Sequence, residues 1–278
     1  MNYRHAFHAG NFADCLKHAA LVAVLLHLRK KETPFAVIDT HGGCGLYDIA
    51  GEQAKKTGEA KDGIERLLPL DSVPGVLEPY CEMVRSFGEG IYPGSPLIAA
   101  KLLRAKDRLV AIEKHPEEQA ALARALRPCK RARVVLGDYV RELPKLLPPP
   151  ERRGIVLIDP PYEAADEFAV ATRAAIAAWQ RFSTGIVLFW YPAKERPLVA
   201  ASAGELLNAG IKSLLKLELD LGIAAGTGGR ERLSAAGLLV VNPPFGFAEE
   251  MRRIMPFLEQ NLARGPSAHG TVEIFAEP

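Results

Sequence analysis

The sequence predicts an α/β fold: a mostly parallel sheet flanked by helices. Three observations carry that prediction. Short apolar runs rich in β-branched residues alternate five times with helix-period stretches, and successive β-then-α units require parallel strands with right-handed crossovers. Four of these runs close on an acid: Asp39, Glu113, Asp138 and Asp159. A glycine-rich turn, Asp39-Thr40-His41-Gly42-Gly43-Cys44-Gly45, follows the first of them.

The chain of 278 residues is long enough for one large domain, or for one domain with an insertion. A net charge of +2 neither demands nor excludes a nucleic-acid partner, so local clustering of basic residues matters more than the total. The four cysteines, Cys15, Cys44, Cys81 and Cys129, show neither CxxC nor metal-ligand spacing. Neither a disulfide framework nor a metal site is therefore expected. No secretory leader pattern opens the chain, and the run from Ala19 to Leu28 is too short to span a bilayer. The expectation is a cytoplasmic, monomeric protein without a membrane partner.

Each element has its own local reason. Residues 1–10 mix aromatic, cationic and imidazole groups at Tyr3, Arg4, His5, Phe7 and His8. Asn11 then reads as an N-cap with Asp14 three positions on, opening a helix from Phe12 to about Lys31 whose basic end suits the helix dipole. Thr33-Pro34 stops it, and Phe35–Ile38 is the first strand. The next strand begins near Arg108, far beyond the reach of an ordinary crossover. The stretch between carries helical patterns at about Lys61–Leu68 and Pro74–Phe87 and is read as a small helical insertion, residues 51–92. The main domain is then 1–50 with 93–278. Tyr92-Pro93-Gly94-Ser95-Pro96 restarts it, with Ser95 as N-cap and a helix to about Lys106. Strands follow at Leu109–Ile112, Val134–Leu136, Ile155–Ile158 and Gly185–Trp190. Helices at Pro116–Leu126, before Leu147, at Glu167–Phe182 and at Arg196–Ala209 separate or follow them. Two further strands, Ser213–Leu219 and Gly237–Val241, flank a glycine-rich loop holding Arg230 and Arg232. A helix (Ala248–Leu262) and a strand (Val272–Phe275) finish the chain.

Asp159-Pro160-Pro161-Tyr162 ends the run Ile155–Ile158 and is the chemically richest stretch. In open α/β sheets ligands sit outside the carboxyl ends of the strands, so this acid stands at the ligand rim. Two prolines remove two amide donors and lock the backbone, holding a ring at a fixed offset from a carboxylate. An acceptor beside a flat ring suits a planar, amine-bearing group such as a nucleobase. Four acids in register disfavour a pyrophosphate and suit ribose hydroxyls and a sulfonium cation, which together describe S-adenosylmethionine. A copy, Asn242-Pro243-Pro244-Phe245, also ends a strand. The last principal strand runs antiparallel in such a fold, so Asn242 is expected at the opposite rim in a structural role.

Taken together, these stretches resemble the class I methyltransferases with an [N/D]PP[Y/F] motif, and more narrowly the RlmJ family of bacterial 23S ribosomal RNA adenine-N6 methyltransferases. Tyr3-Arg4-His5-x-Phe7-His8-Ala9-Gly10-Asn11, Asp14-x-x-Lys17-His18, the Asp39–Gly45 turn, Tyr92–Leu97 and Ile158–Tyr162 carry the resemblance. It implies a seven-stranded Rossmann-like sheet with a small helical insertion. It implies cofactor contacts at His18, His41, Ser95, Glu113, Asp138 and Tyr139, to which the glycine-rich turn adds Asp39 and Gly43. Tyr139 stands where the family commonly has glycine. The catalytic acid falls on Asp159, with the Pro160 carbonyl as a second acceptor and Tyr162 as the stacking ring. Residues 1–31 would close the site, placing Tyr3 and His5 near the target base with Lys17 in a supporting role; for RNA contact the basic residues expected around the rim are Arg4, Lys17, Arg230 and Arg232, with Lys55 and Lys56 of the insertion. The substrate implied is protein-free or early-assembly ribosomal RNA, and no metal is needed. Two alternatives share these residues: a DNA adenine-N6 methyltransferase, and a non-catalytic nucleic-acid-binding or DNA-utilisation protein.

Overall fold

The computed structural model describes residues 7–223 and 233–276 and, within them, leaves out the side chains of Gln53 and Lys55. Eight strands form one sheet: β1 (Ala36–Asp39), β4 (Arg108–Glu113), β5 (Ala132–Leu136), β6 (Gly154–Ile158), β7 (Ile186–Pro192), β8 (Leu214–Asp220), β9 (Ala235–Val241) and β10 (His269–Ala276). Their spatial order is β10-β8-β9-β7-β6-β1-β4-β5. β1, β4, β5, β6 and β7 run parallel. β9 is antiparallel to both β7 and β8, and β10 is antiparallel to β8. The seven-stranded sheet implied by the resemblance thus gains an eighth strand at its edge, β10, where the sequence itself marks a run at Val272–Phe275.

Both faces of the sheet are covered, and the strands alternate accordingly. In β6, Ile155 and Leu157 belong to the apolar layer that includes α1 (Phe12–Arg29), α5 (Ser95–Leu102) and α10 (Phe247–Leu262). Val156 and Ile158 enter the layer formed with α7 (Tyr139–Leu146), α8 (Glu167–Arg181) and α9 (Arg196–Asn208). α6 (Pro116–Ala125) follows β4. The helices begin and end within a few residues of their expected bounds. Asn11 caps α1 as expected, its side chain accepting the Asp14 N–H. Ser95 does not cap α5. Gly94 holds the cap position, which moves Ser95 into the first turn with Pro96.

The stretch between β1 and β4 contains more structure than its sequence suggests. A two-stranded antiparallel ribbon, β2 (Leu46–Asp48) with β3 (Ile91–Pro93), brings its two ends together. Between them lie α2 (Glu52–Thr57), α3 (Ile64–Leu67) and α4 (Leu77–Arg85). Ile64, Leu67, Leu77 and Tyr80 are fully buried in the same apolar layer as α1. Among the described residues no helix is long and apolar enough to cross a membrane.

Candidate active site

The carboxyl ends of β1, β4, β5 and β6 do bring the four acids to one rim. Asp39 and Glu113 end their strands, Asp138 caps α7 by accepting the Val140 N–H at 2.9 Å, and Asp159 follows β6. Glu113 braces the glycine-rich turn: its Oε2 accepts from Gly43 N and its Oε1 from His115 N, both at 2.8 Å. Gly43 has φ +57 and a Cβ there would strike the Tyr47 hydroxyl, so only glycine fits this close approach.

Lys17 is where the sequence reading needs correction. It was expected at the rim facing substrate. Instead it is 4% exposed, buried between Asp14 Oδ1 at 2.8 Å and Asp159 Oδ2 at 2.6 Å. Burial alone would lower its pKa, but the charges of Asp14 and Asp159 outweigh that and raise it, so it stays an ammonium. Lys17 therefore holds the acid in place rather than meeting phosphate. Asp14 also accepts the Gly10 N–H at 2.9 Å, so the start of α1 is tied through Asp14 and Lys17 to Asp159. The sequence marked Asp14 as a helix-start acid and as part of Asp14-x-x-Lys17-His18, without assigning it a role at the site. Its spacing of three from Lys17 was the available signal.

Asp39 is buried beside this ion pair, and burial pushes its pKa up to about 7; hydrogen bonds from Ser95 and from His41 N–H oppose the rise. His41 goes the other way. Burial lowers its pKa to about 4 against the pull of Asp159 and Asp138, so the imidazole is neutral, its Nδ1 paired with the Thr40 hydroxyl at 2.7 Å. The Tyr139 ring lies against it, centroids 4.6 Å apart, so a bulky residue at this position is absorbed by aromatic contact with His41. His18, the residue after Lys17, is buried, its Nδ1 2.7 Å from the Tyr92 hydroxyl, which meets the Tyr80 hydroxyl at 2.8 Å. Tyr92 was marked in the sequence only as the start of Tyr92–Leu97, and Tyr80 was not singled out. They are why an imidazole can sit in this core.

Tyr162 adopts φ +54, a left-handed conformation rare for a ring-bearing residue. Its hydroxyl donates to the Trp190 carbonyl at 2.7 Å, and its ring meets Phe168 at 4.5 Å and Trp190 at 5.7 Å between centroids. The two prolines and this anchor fix an aromatic cluster beside Asp159. Tyr3, Arg4, His5, Arg230 and Arg232 lie outside the described residues, as does the side chain of Lys55; Lys56 is exposed.

The duplicate motif lies at the other rim. Asn242 follows β9, the reversed strand, and its Nδ2 donates to Ser183 O and Gly185 O, both at 2.8 Å, just before β7 begins. It is a structural clasp.

This donor set fits S-adenosylmethionine. Asp14 and Asp159 flank the Lys17 ammonium with Asp39 buried beside them, and burial holds the Asp39 proton on; a sulfonium cation nearby would favour its ionised form. Glu113 carries lone pairs beyond the two that its amide donors use, suited to hydroxyl donors. Two buried polar atoms, Tyr139 Oη and Trp190 Nε1, have no hydrogen-bond partner among the described residues. Among the described residues no cluster of metal-ligating side chains exists.

The chain is similar to known proteins over nearly its whole length. The chain is 37% identical over 276 residues to the ribosomal RNA large subunit methyltransferase J of Escherichia coli (strain K12), covering 98% of each chain. It is 37% identical over 278 residues to the protein of the same name from Haemophilus influenzae, again over 98% of each. A crystal structure of a Legionella pneumophila protein superposes with a TM-score of 0.86 at 31% identity, over 97% of this chain and 98% of that one. The family model described as ribosomal RNA large subunit methyltransferase D, RlmJ, matches residues 32–275. The chain belongs to that family.

Proposed function

We propose that this protein transfers a methyl group from S-adenosylmethionine to the exocyclic N6 amine of one adenosine in 23S ribosomal RNA, acting as a cytoplasmic monomer on protein-free or early-assembly RNA. The observation that carries the reading is the Asp159–Lys17 pair at the rim of β6, beside the aromatic cluster of Tyr162, Phe168 and Trp190. The curated relatives of the family, named for ribosomal RNA methylation, support the choice of RNA.

The chemistry follows from what the residues do. Bound S-adenosylmethionine supplies an electrophilic methyl on a cationic sulfur. Asp39, His18, His41, Ser95, Glu113, Asp138, Tyr139 and Gly43 are the residues to hold it. An adenine amine is a poor nucleophile because its lone pair is delocalised into the ring. Lys17 occupies Asp159 Oδ2, so Oδ1 and the Pro160 carbonyl are the acceptors that would draw on the two amine hydrogens and localise that lone pair. Asp159 then takes the proton from the developing ammonium, an acid strong enough that an ordinary carboxylate suffices. The rate gain comes chiefly from position and electrostatics. A base must leave its helix to reach this rim, and the anchored Tyr162 is the ring on which it would stack.

Labelled methyl transfer to protein-free 23S rRNA but not to duplex DNA is the expected result, with Asp159→Asn losing at least about 10²-fold in kcat while still binding cofactor. Full activity in Asp159→Asn would remove the proton-acceptor role. Transfer to duplex DNA would favour the DNA methyltransferase, and no transfer at all the non-catalytic reading.

A further inference from the structure

The loop after β9 holds a residue that the catalytic reading leaves unused. Phe245 is 95% exposed, whereas the next most exposed large apolar side chain among the described residues, Leu136, is 52%. The backbone that carries it is held on both sides. Pro243 and Pro244 precede it, Asn242 is clasped to Ser183 and Gly185, and Phe247 N–H closes the turn onto Pro244 O at 3.0 Å. With the backbone fixed, stacking on this ring orders only its own two side-chain torsions.

Its surroundings are cationic. The His27 imidazole meets the Phe245 backbone, and its pKa is lowered first by partial burial, then by Lys30, Arg153 and Lys31, which places those charges close by. Parallel strands begin where the reversed β9 ends, so the segments entering β1, β4, β6 and β8 reach the same rim. They bring exposed Arg29, Lys30, Lys31, Lys106, Arg152 and Lys212, none with an ion-pair partner among the described residues. The acids there are largely spent: Asp107 holds Arg104 and Glu151 holds Arg108, leaving Glu32 exposed. The opposite rim carries Asp39, Glu113, Asp138 and Asp159. Lys17 and Lys114 pair with acids of that rim, whereas the six exposed cations here have no ion-pair partner among the described residues.

We propose that the rim opposite the catalytic acids is a second RNA-contact surface, where Phe245 stacks an unpaired base and Lys30, Lys31 and their neighbours bind backbone phosphates. The inference rests on the RNA methyltransferase reading above. Aromatic stacking inside a cationic surround is the general mode of single-strand binding, tolerant of sequence and sensitive to salt. A protein partner is the poorer fit, because one isolated ring is not the contiguous apolar patch that marks a protein interface.

Phe245→Ala and Lys30→Gln/Lys31→Gln test it, since all three positions are exposed and outside the cofactor and catalytic set. Equilibrium binding of single-stranded RNA is measured across salt concentrations, beside methyl transfer to protein-free 23S rRNA and to the shortest fragment of it that still accepts methyl. Phe245→Ala should weaken RNA binding about ten-fold. The double lysine variant should reduce the slope of log affinity against log salt by about two. KM for the long RNA rises in both, with kcat, cofactor affinity and KM for the short fragment unchanged. Unchanged affinity and salt slope in both variants overturn the proposal, including where the rim binds a protein. Failure of the wild type to methylate RNA strikes the reaction instead, and the binding assay still decides this surface.

Discussion

Asp39 shares a small volume with Asp159 and Lys17, and this crowding has a measurable cost. With its pKa raised from 3.8 to about 7 by burial, the folded protein holds a proton that the unfolded chain has released. That contribution to stability is complete below pH 4 and is lost as pH rises through 7. His41, lowered to about 4, works in the opposite sense between pH 4 and 6.5, so the effect is read as a difference between proteins. Asp39→Asn should gain on the wild type by on the order of 4 kcal/mol between pH 4 and 8, by chemical denaturation. A difference that stays flat with pH would show Asp39 ionised throughout. Asn242 tests the other rim. Asn242→Ala removes two hydrogen bonds from a position at φ +52, where asparagine is tolerated better than alanine. We expect a loss of about 2–3 kcal/mol in stability with methyl transfer intact. A kinetic loss matching that of Asp159→Asn would give this copy of the motif a catalytic part. The four acids were legible in the sequence because strand ends carry their side chains to one rim whatever surrounds them. The partner of Lys17 was not legible, because Asp159 lies 142 residues away and only the packing of α1 joins them.

At the scale of elements, α1 depends on its neighbours. Glu59 accepts from Asn11 Nδ2 at 3.0 Å, Ile64 N–H donates to Gly10 O at 2.8 Å, and Gly10 in turn feeds Asp14 and Lys17. The contact is close enough to exclude a side chain: a Cβ on Gly63 would lie 2.2 Å from Gly10 O and 2.7 Å from the Asn11 backbone. Gly63→Ala should therefore cost about 2–3 kcal/mol in thermal or denaturant unfolding and lower kcat through the displaced Lys17. Wild-type stability in that variant would show that the two segments give way freely. The long regular elements were readable because period and caps agreed. The β2–β3 ribbon and α2 were not: three-residue strands and a six-residue helix are too short to show a period, and their pairing partners are more than forty residues apart. The shift of the α5 cap from Ser95 to Gly94 has a similar origin, since Asp39 takes the serine hydroxyl that a cap would use.

On the scale of the molecule, strand direction decides what each motif copy is for. The same tetrapeptide pattern stands at the ligand rim after β6, where Asp159 is the proposed catalytic acid, and forms a clasp after β9 because one strand is reversed; the reversal was expected from the fold class alone. What the sequence concealed was the cation cluster of the far rim, since its members are scattered from Arg29 to Lys212 and meet only when the sheet assembles. α1 crosses from one rim to the other: Lys17 meets Asp159 near its start, and Arg153, entering β6, donates to Leu28 O near its end. At 1.5 Å per residue, Lys17 and Lys30 stand roughly 20 Å apart. For the two contacts proposed above, the helix is a ruler: an RNA whose folded extent falls short of that length would present its adenosine to Asp159 or its backbone to Lys30, and never both at once.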